Sequence, residues 1–80
     1  KDLENYDAAL ASYILARDLY KKSDSVINQA NVVKFMARLE KKLGTPEQAT
    51  VYYNEAAILY ASAGNTEELN SLRNEAGKIL

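Results

Sequence analysis

Apolar positions along the chain recur at three- and four-residue intervals, which is the spacing of one face of an α-helix. Four stretches show this pattern, and polar residues fill the positions between the apolar ones. The predicted helices run roughly over residues 6–22, 26–43, 46–63 and 66–80, and residues 1–3 are read as the tail of a preceding helix. No strand is predicted, so the pattern indicates an all-α chain.

Local signals mark the connections between these helices. The polar residues 23–25 end the first helix and offer caps for the second. Gly44 is a favourable C-terminal stop, and residues 45–48 (Thr-Pro-Glu-Gln) predict a capping box with proline in the first turn. In the same way, Gly64 is predicted to end the third helix, and the polar residues 65–68 are predicted to cap the fourth. All three connections are short, so we expect consecutive helices to run antiparallel.

Part of the pattern returns after forty residues. The identical pairs are Lys1 and Lys41, Leu3 and Leu43, Ala9 and Ala49, Tyr13 and Tyr53, Ala16 and Ala56, Leu19 and Leu59, and Tyr20 and Tyr60. The last five pairs keep helical spacing. A unit that repeats one helical face is typical of a helical solenoid, whose usual function is to hold other proteins.

Two turns carry a resemblance to a known family. Residues 3–10 (Leu-Glu-Asn-Tyr-Asp-Ala-Ala-Leu) and residues 43–49 (Leu-Gly-Thr-Pro-Glu-Gln-Ala) resemble the turn of a tetratricopeptide repeat. After the turns, Ala9, Tyr13 and Ala16, and again their partners forty residues later, match the alanine, aromatic and alanine positions of the repeat's second helix. Met36 and Ala37 match the leucine and small-residue positions of its first helix.

The chain also departs from that pattern. Its period is 40 residues where about 34 is common. Val33 stands at the tryptophan-like position, Glu40 at the tyrosine-like position, and Ala61 near the place of the closing proline. Pro46 stands where the second turn usually has an aromatic residue.

The resemblance implies a single domain over residues 1–80, with antiparallel helical hairpins stacked as a short right-handed solenoid of about four helices. One complete repeat would be flanked by two half repeats. Such arrays usually need at least three repeats for stability, and the chain starts at Lys1 rather than methionine. We therefore expect a piece of a longer array, or a chain that oligomerises to cover its ends.

Composition argues against catalysis. The chain has no histidine and no cysteine, so it lacks the commonest catalytic base, any disulfide and the usual zinc ligands other than carboxylates. The acidic residues Asp2, Glu4 and Asp7 lack the central glycine of a calcium loop. No glycine-rich phosphate loop is present. We expect no enzymatic activity, no cofactor and no metal site.

Charge is uneven although the net charge is only −1. Residues 21–43 hold six basic and two acidic side chains, a net charge of +4, and residues 44–80 hold two basic and five acidic ones, a net charge of −3. The chain contains no run of about 18 apolar residues, which is the length needed to cross a bilayer. Nucleic acid and membrane are therefore not the expected partners, and a basic helix that binds an anionic surface is a weaker third alternative.

A stripe of basic residues on the second helix, formed by Lys34, Arg38 and Lys41, supplies the candidate site. In proteins that this chain resembles, the first helix of each repeat lines a concave groove that grips extended peptides. Carried over by position, the groove residues are Asn31, Lys34, Phe35, Arg38, Lys41, Ser71, Asn74 and Lys78. Several donors there could hold an acidic segment or a C-terminal carboxylate. The alternative interpretation is an ordinary solvated helix face.

The six tyrosines allow two interpretations. Tyr6, Tyr13 and Tyr20 recur every seven residues, which favours packing between helices over an aromatic recognition surface. The function that these observations favour is a protein-interaction scaffold that binds a peptide or helix, acidic in character, of a partner protein. The alternative is self-assembly into a homo-oligomer through exposed terminal helices. A cytoplasmic location is favoured.

Overall fold

A computed structural model describes residues 3–77, with side chains from residue 5 onward. The chain forms four α-helices: α1 (Leu3–Lys22), α2 (Val26–Leu43), α3 (Pro46–Ser62) and α4 (Thr66–Gly77). Between residues 3 and 77 there is no strand. The predicted all-α fold is confirmed, and its helices pack as consecutive hairpins.

The helix bounds differ from the expected ones at two ends. α1 already begins at Leu3. The sequence predicted a break between a helix tail ending at residue 3 and a helix beginning at residue 6, but the helix is continuous from residue 3 onward. The reason is local, because residues 3–7 contain neither glycine nor proline to end a helix. α3 ends at Ser62 rather than residue 63. Residues 1–2 of the expected tail and residues 78–80 of the last helix lie outside the described residues.

All three turns share one backbone arrangement. In each, the residue before the new helix donates its amide to the carbonyl five residues earlier: Ser25 to Tyr20 at 2.9 Å, Thr45 to Glu40 at 3.0 Å and Asn65 to Tyr60 at 2.9 Å. The residue before each donor is left-handed: Asp24 at φ 59°, Gly44 at 82° and Gly64 at 73°. This is the Schellman arrangement of a helix C-terminus. The arrangement recurs every twenty residues, so α2 and α3, each counted with the turn that follows it, have the same length.

Helix N-termini are capped less uniformly. The predicted capping box at Thr45 is wrong, because the Thr45 side chain makes no capping hydrogen bond. Its hydroxyl instead lies 2.9 Å from the Glu40 carbonyl oxygen and 2.7 Å from Glu40 Oε1. At α4 a side-chain cap does form, since the Glu68 amide donates to Asn65 Oδ1 at 3.2 Å.

The core lies mainly between α2 and α3. Eleven apolar residues are buried among the side chains described, and ten of them belong to these two helices: Ala30, Val32, Val33, Met36, Ala37, Leu39, Ala49, Tyr53, Ala56 and Tyr60. α4 adds Leu72, and the described part of α1 contributes only partly buried side chains. The Cα atoms extend over 39 × 30 × 15 Å. The short dimension is about that of two helix layers with axes about 10 Å apart.

Candidate functional site

Ion pairs join helices that are two apart in the chain. Arg17 of α1 pairs with Glu55 of α3 at 3.2 Å. On the other side, two cations of α2 pair with carboxylates of α4: Lys34 with Glu68 at 3.6 Å and Arg38 with Glu75 at 2.8 Å. Thus α1 lies beside α3 in one layer, and α2 beside α4 in the other. Lys34 and Arg38, two cations of the predicted groove, therefore form ion pairs within the molecule.

The Arg38 pair is part of a three-residue cluster. The Arg38 guanidinium donates two hydrogen bonds of 2.8 Å to the two carboxylate oxygens of Glu75. The Tyr53 hydroxyl of α3 donates to the same carboxylate. The guanidinium bonds, assisted by Tyr53, lower the pKa of Glu75 to about 2 although burial opposes this shift. Burial, and then the bond to Glu75, raise the pKa of Tyr53.

Asn31 and Lys34 also contact side chains of neighbouring helices. Asn31 Oδ1 accepts a hydrogen bond from the Tyr60 hydroxyl of α3. The Lys34 ammonium lies 6.0 Å from the centre of the Tyr60 ring and 5.7 Å from that of Phe35. Burial, and then the negative charge of Glu68, raise the pKa of Tyr60. Both groove candidates therefore hold helices together in the isolated chain.

A cleft between α1 and α2 combines aromatic rings with positive charge. Its volume is about 210 Å³, and we call it the aromatic–cationic cleft; it is lined by Tyr6, Tyr13, Phe35, Arg38, Leu39 and Lys42. Phe35 is 41% exposed. Its ring centre lies 6.1 Å from that of Tyr13 and 5.7 Å from the Arg38 guanidinium carbon. An exposed aromatic ring is thus held in place from two sides.

A second cavity adjoins this cleft and shares two of its residues. It measures about 470 Å³ and is lined by Arg38, Lys41, Lys42 and Glu75. All four lining residues are charged, and their aliphatic parts supply most of the wall. The cleft and this cavity meet at Arg38 and Lys42, which line both. Lys41 and Lys42 are exposed.

The structure brings together only part of the predicted groove. Phe35, Arg38 and Lys41 line the two cavities. Ser71 and Asn74 are exposed on α4 and line neither cavity. Lys78, the last predicted groove residue, lies outside the described residues.

Tyr6, Tyr13 and Lys42 line the cleft but were not among the predicted groove residues. The seven-residue spacing of the tyrosines was a signal, but it favoured packing between helices. Tyr13 does both: its side chain is half-buried between the helices, and its ring contacts the exposed ring of Phe35 in the cleft. The pairing of Lys34 and Arg38 with α4 has no local sequence signal, since it depends on which helices become neighbours.

Among the described residues, no group of three or more acidic side chains could hold a metal ion. In the same part of the chain, no helix is both long and apolar enough to cross a bilayer. Comparisons with protein families, curated proteins and solved structures found no match.

Proposed function

We propose that the chain is a non-catalytic protein-interaction scaffold, built as a tetratricopeptide-like right-handed solenoid, that binds an acidic peptide segment at the aromatic–cationic cleft. The observation that carries the proposal is the exposed Phe35 ring, which lies between Tyr13 and Arg38 in a cleft that Lys42 also lines. An apolar anchor surrounded by positive charge fits a hydrophobic side chain with acidic neighbours.

The size of the cleft favours a peptide over a free small molecule. Its volume of about 210 Å³ lies below the ~300–1,000 Å³ of typical small-molecule pockets. A volume of this kind accepts one side chain of a longer ligand. The adjoining charged cavity extends the surface along α2, as an extended segment requires.

Charge sets the expected character of the peptide. Glu75 already neutralises Arg38 through two hydrogen bonds. Lys41 and Lys42 take part in none of the ion pairs between the described side chains. These two lysines therefore supply the attraction for a carboxylate, and Arg38 acts mainly by fixing Phe35.

The regular turns support the solenoid part of the proposal. The same backbone hydrogen bond closes every turn at a spacing of twenty residues, which gives a forty-residue unit of two helices. The ion pairs between helices two apart then repeat on both layers. Stacked hairpins held by contacts to the next hairpin are the construction of helical repeat proteins.

A dodecamer peptide array, probed with the purified chain, tests peptide binding. We expect enrichment of acidic peptides that contain a leucine or aromatic residue. Lys42→Glu and Phe35→Ala should each weaken binding of the best peptide at least about tenfold, because one removes the attraction and the other the anchor. Lys22→Glu is the matched control, since it makes the same charge change at the opposite end of the α1–α2 hairpin. Equal binding by the Lys42 and Lys22 variants would contradict the proposal.

Self-assembly is a second candidate function, and a specific observation favours it. Three large apolar side chains at the two ends of the stack are mostly exposed: Leu15 at 70%, Leu19 at 65% and Ile58 at 68%. Sedimentation equilibrium over a range of concentrations tests this candidate. A mass that stays at that of one chain would exclude it.

A further inference from the structure

The two ends of the stack are related by the forty-residue repeat. Inside the molecule, α3 packs against α2 and lies beside α1, and Arg17 of α1 pairs with Glu55 of α3 at this junction. The position forty residues after Arg17 is Ala57, and the position forty residues before Glu55 is Leu15. If another unit were added at either end, these two positions would take the roles of the ion pair. Both positions hold apolar residues where the internal ion pair has charged ones.

Exposure at the ends follows the same relation. Leu19 is 65% exposed, whereas its counterpart Leu59 is partly buried and packs against the core. At the other end, Asn54 is exposed, whereas its counterpart Ile14 is partly buried against the core. Each pair differs because one member lies inside a junction and the other at an end.

A groove lies where the next helix of the stack would pack. It measures about 450 Å³ and runs between α3 and α4, with Ala57, Ile58, Leu72 and Ala76 among its lining residues. It is larger than the aromatic–cationic cleft and mostly apolar in its walls. An α-helix with an apolar stripe would fill it, and the exposed face of α1 with Ala11, Leu15 and Leu19 is such a stripe.

We propose that the occupant is a second copy of this chain, bound head to tail, with α1 of one copy in the α3–α4 groove of the other and Leu15 against Ala57. This inference rests on the second candidate function, self-assembly. The two surfaces are different, so the contact is heterologous and each copy can bind one on either side. The junction between copies then continues the spacing of the junction within each copy.

The register can be tested by restoring charges. Leu15→Glu and Ala57→Arg each place one charge in the apolar junction. Each should raise the dissociation constant at least about tenfold, since burying one leucine is worth more than one tenfold step in affinity. The double variant Leu15→Glu/Ala57→Arg recreates the Arg17–Glu55 pair at every junction. It should associate again at low salt and lose this association as salt is raised.

Matched variants separate folding, register and peptide binding. Leu15 and Asn54 are exposed, and Asn54 lines the α3–α4 groove. Leu15→Glu and Asn54→Glu should therefore keep the helix content by circular dichroism and weaken association even if Ala57→Arg disturbs the fold. Phe35→Glu, which lies in the aromatic–cationic cleft, should abolish peptide binding and leave association unchanged.

Sedimentation of these variants distinguishes the outcomes. A monomeric wild-type chain at every concentration overturns self-assembly and this inference together, while peptide binding stands. A wild-type chain that associates, with a double variant that does not recover, overturns the register alone. Association that is unaffected by Asn54→Glu and lost in Leu15→Glu indicates a symmetric α1–α1 dimer and also overturns the head-to-tail arrangement.

Discussion

At the residue scale, the carboxylate of Glu75 joins three helices. It accepts two hydrogen bonds from Arg38 of α2 and one from Tyr53 of α3 while belonging to α4. All three hydrogen bonds to this carboxylate form only when the three helices are in place. Glu75 therefore couples the outer helix to the core and, through Arg38, supports Phe35 in the aromatic–cationic cleft.

Glu75→Gln should lower the free energy of unfolding by about 1–3 kcal/mol. A partly exposed ion pair with added hydrogen bonds contributes about 1 kcal/mol, and the lowering of the Glu75 pKa from 4.5 to about 2 corresponds to about 3 kcal/mol. Urea denaturation followed by circular dichroism measures this change. Asp18→Asn is the control, because it removes the same charge from a side chain that is exposed on α1. A loss of stability no larger than that of the control would show that the cluster adds nothing.

Acid should remove the same contribution. The folded-state pKa of Glu75 is lowered to about 2 from an ordinary 4.5, so the unfolded chain takes up the proton first as pH falls. The stabilisation is complete above about pH 4.5 and is lost on the way to pH 2. The urea midpoints of wild type and Glu75→Gln should converge over this range. A difference that is constant with pH would contradict the assignment.

At the element scale, the turns explain why the helix pattern could be predicted. Gly44 and Gly64 stop α2 and α3 through a left-handed residue, and glycine is the residue that favours this conformation. The bounds of α2 follow from such local signals. The start of α1 did not, because the resemblance to a repeat turn suggested a break that residues 3–7 cannot produce. The ion pairs between layers also escaped prediction, since Lys34 and Glu68 meet only through tertiary packing.

The three equivalent turns allow a comparison of residues. Asp24 is the non-glycine member, at φ 59°, and pays a conformational cost that glycine avoids. Asp24→Gly should raise the free energy of unfolding by about 0.5–1 kcal/mol. Thermal denaturation measures this change. A lower melting temperature would mean that the Asp24 side chain stabilises the turn by more than its backbone strain.

The converse change belongs at Gly64. A methyl group there meets no atom within 4 Å, so only its φ of 73° opposes a side chain. Gly64→Ala should lower the free energy of unfolding by about 1 kcal/mol. Gly77→Ala is the paired control with the opposite sign, because Gly77 is helical and its added methyl also meets nothing within 4 Å. Equal effects of both substitutions would contradict the role of the left-handed turn.

At the scale of the whole molecule, the core is unevenly shared. Of the eleven buried apolar residues between residues 5 and 77, α2 and α3 hold ten, and the described part of α4 holds Leu72. α1 and α4 thus cover a central hairpin rather than form a core of their own. This arrangement leaves the outer faces of the end helices open to a partner, and it makes those helices the least stable parts of the isolated chain.

Hydrogen exchange should therefore be graded along the chain. Amides of α2 and α3 should exchange most slowly, through global unfolding, and those of α1 and α4 faster, through local opening. Exchange measured by mass spectrometry at two protein concentrations also addresses self-assembly. If α1 docks in the α3–α4 groove of another copy, raising the concentration should slow exchange in α1 and α4 selectively, because both helices become interior. Leu15→Glu should remove this concentration dependence and keep the gradient. Uniform protection of all four helices at low concentration would contradict the central hairpin, since each helix would then open only with the whole.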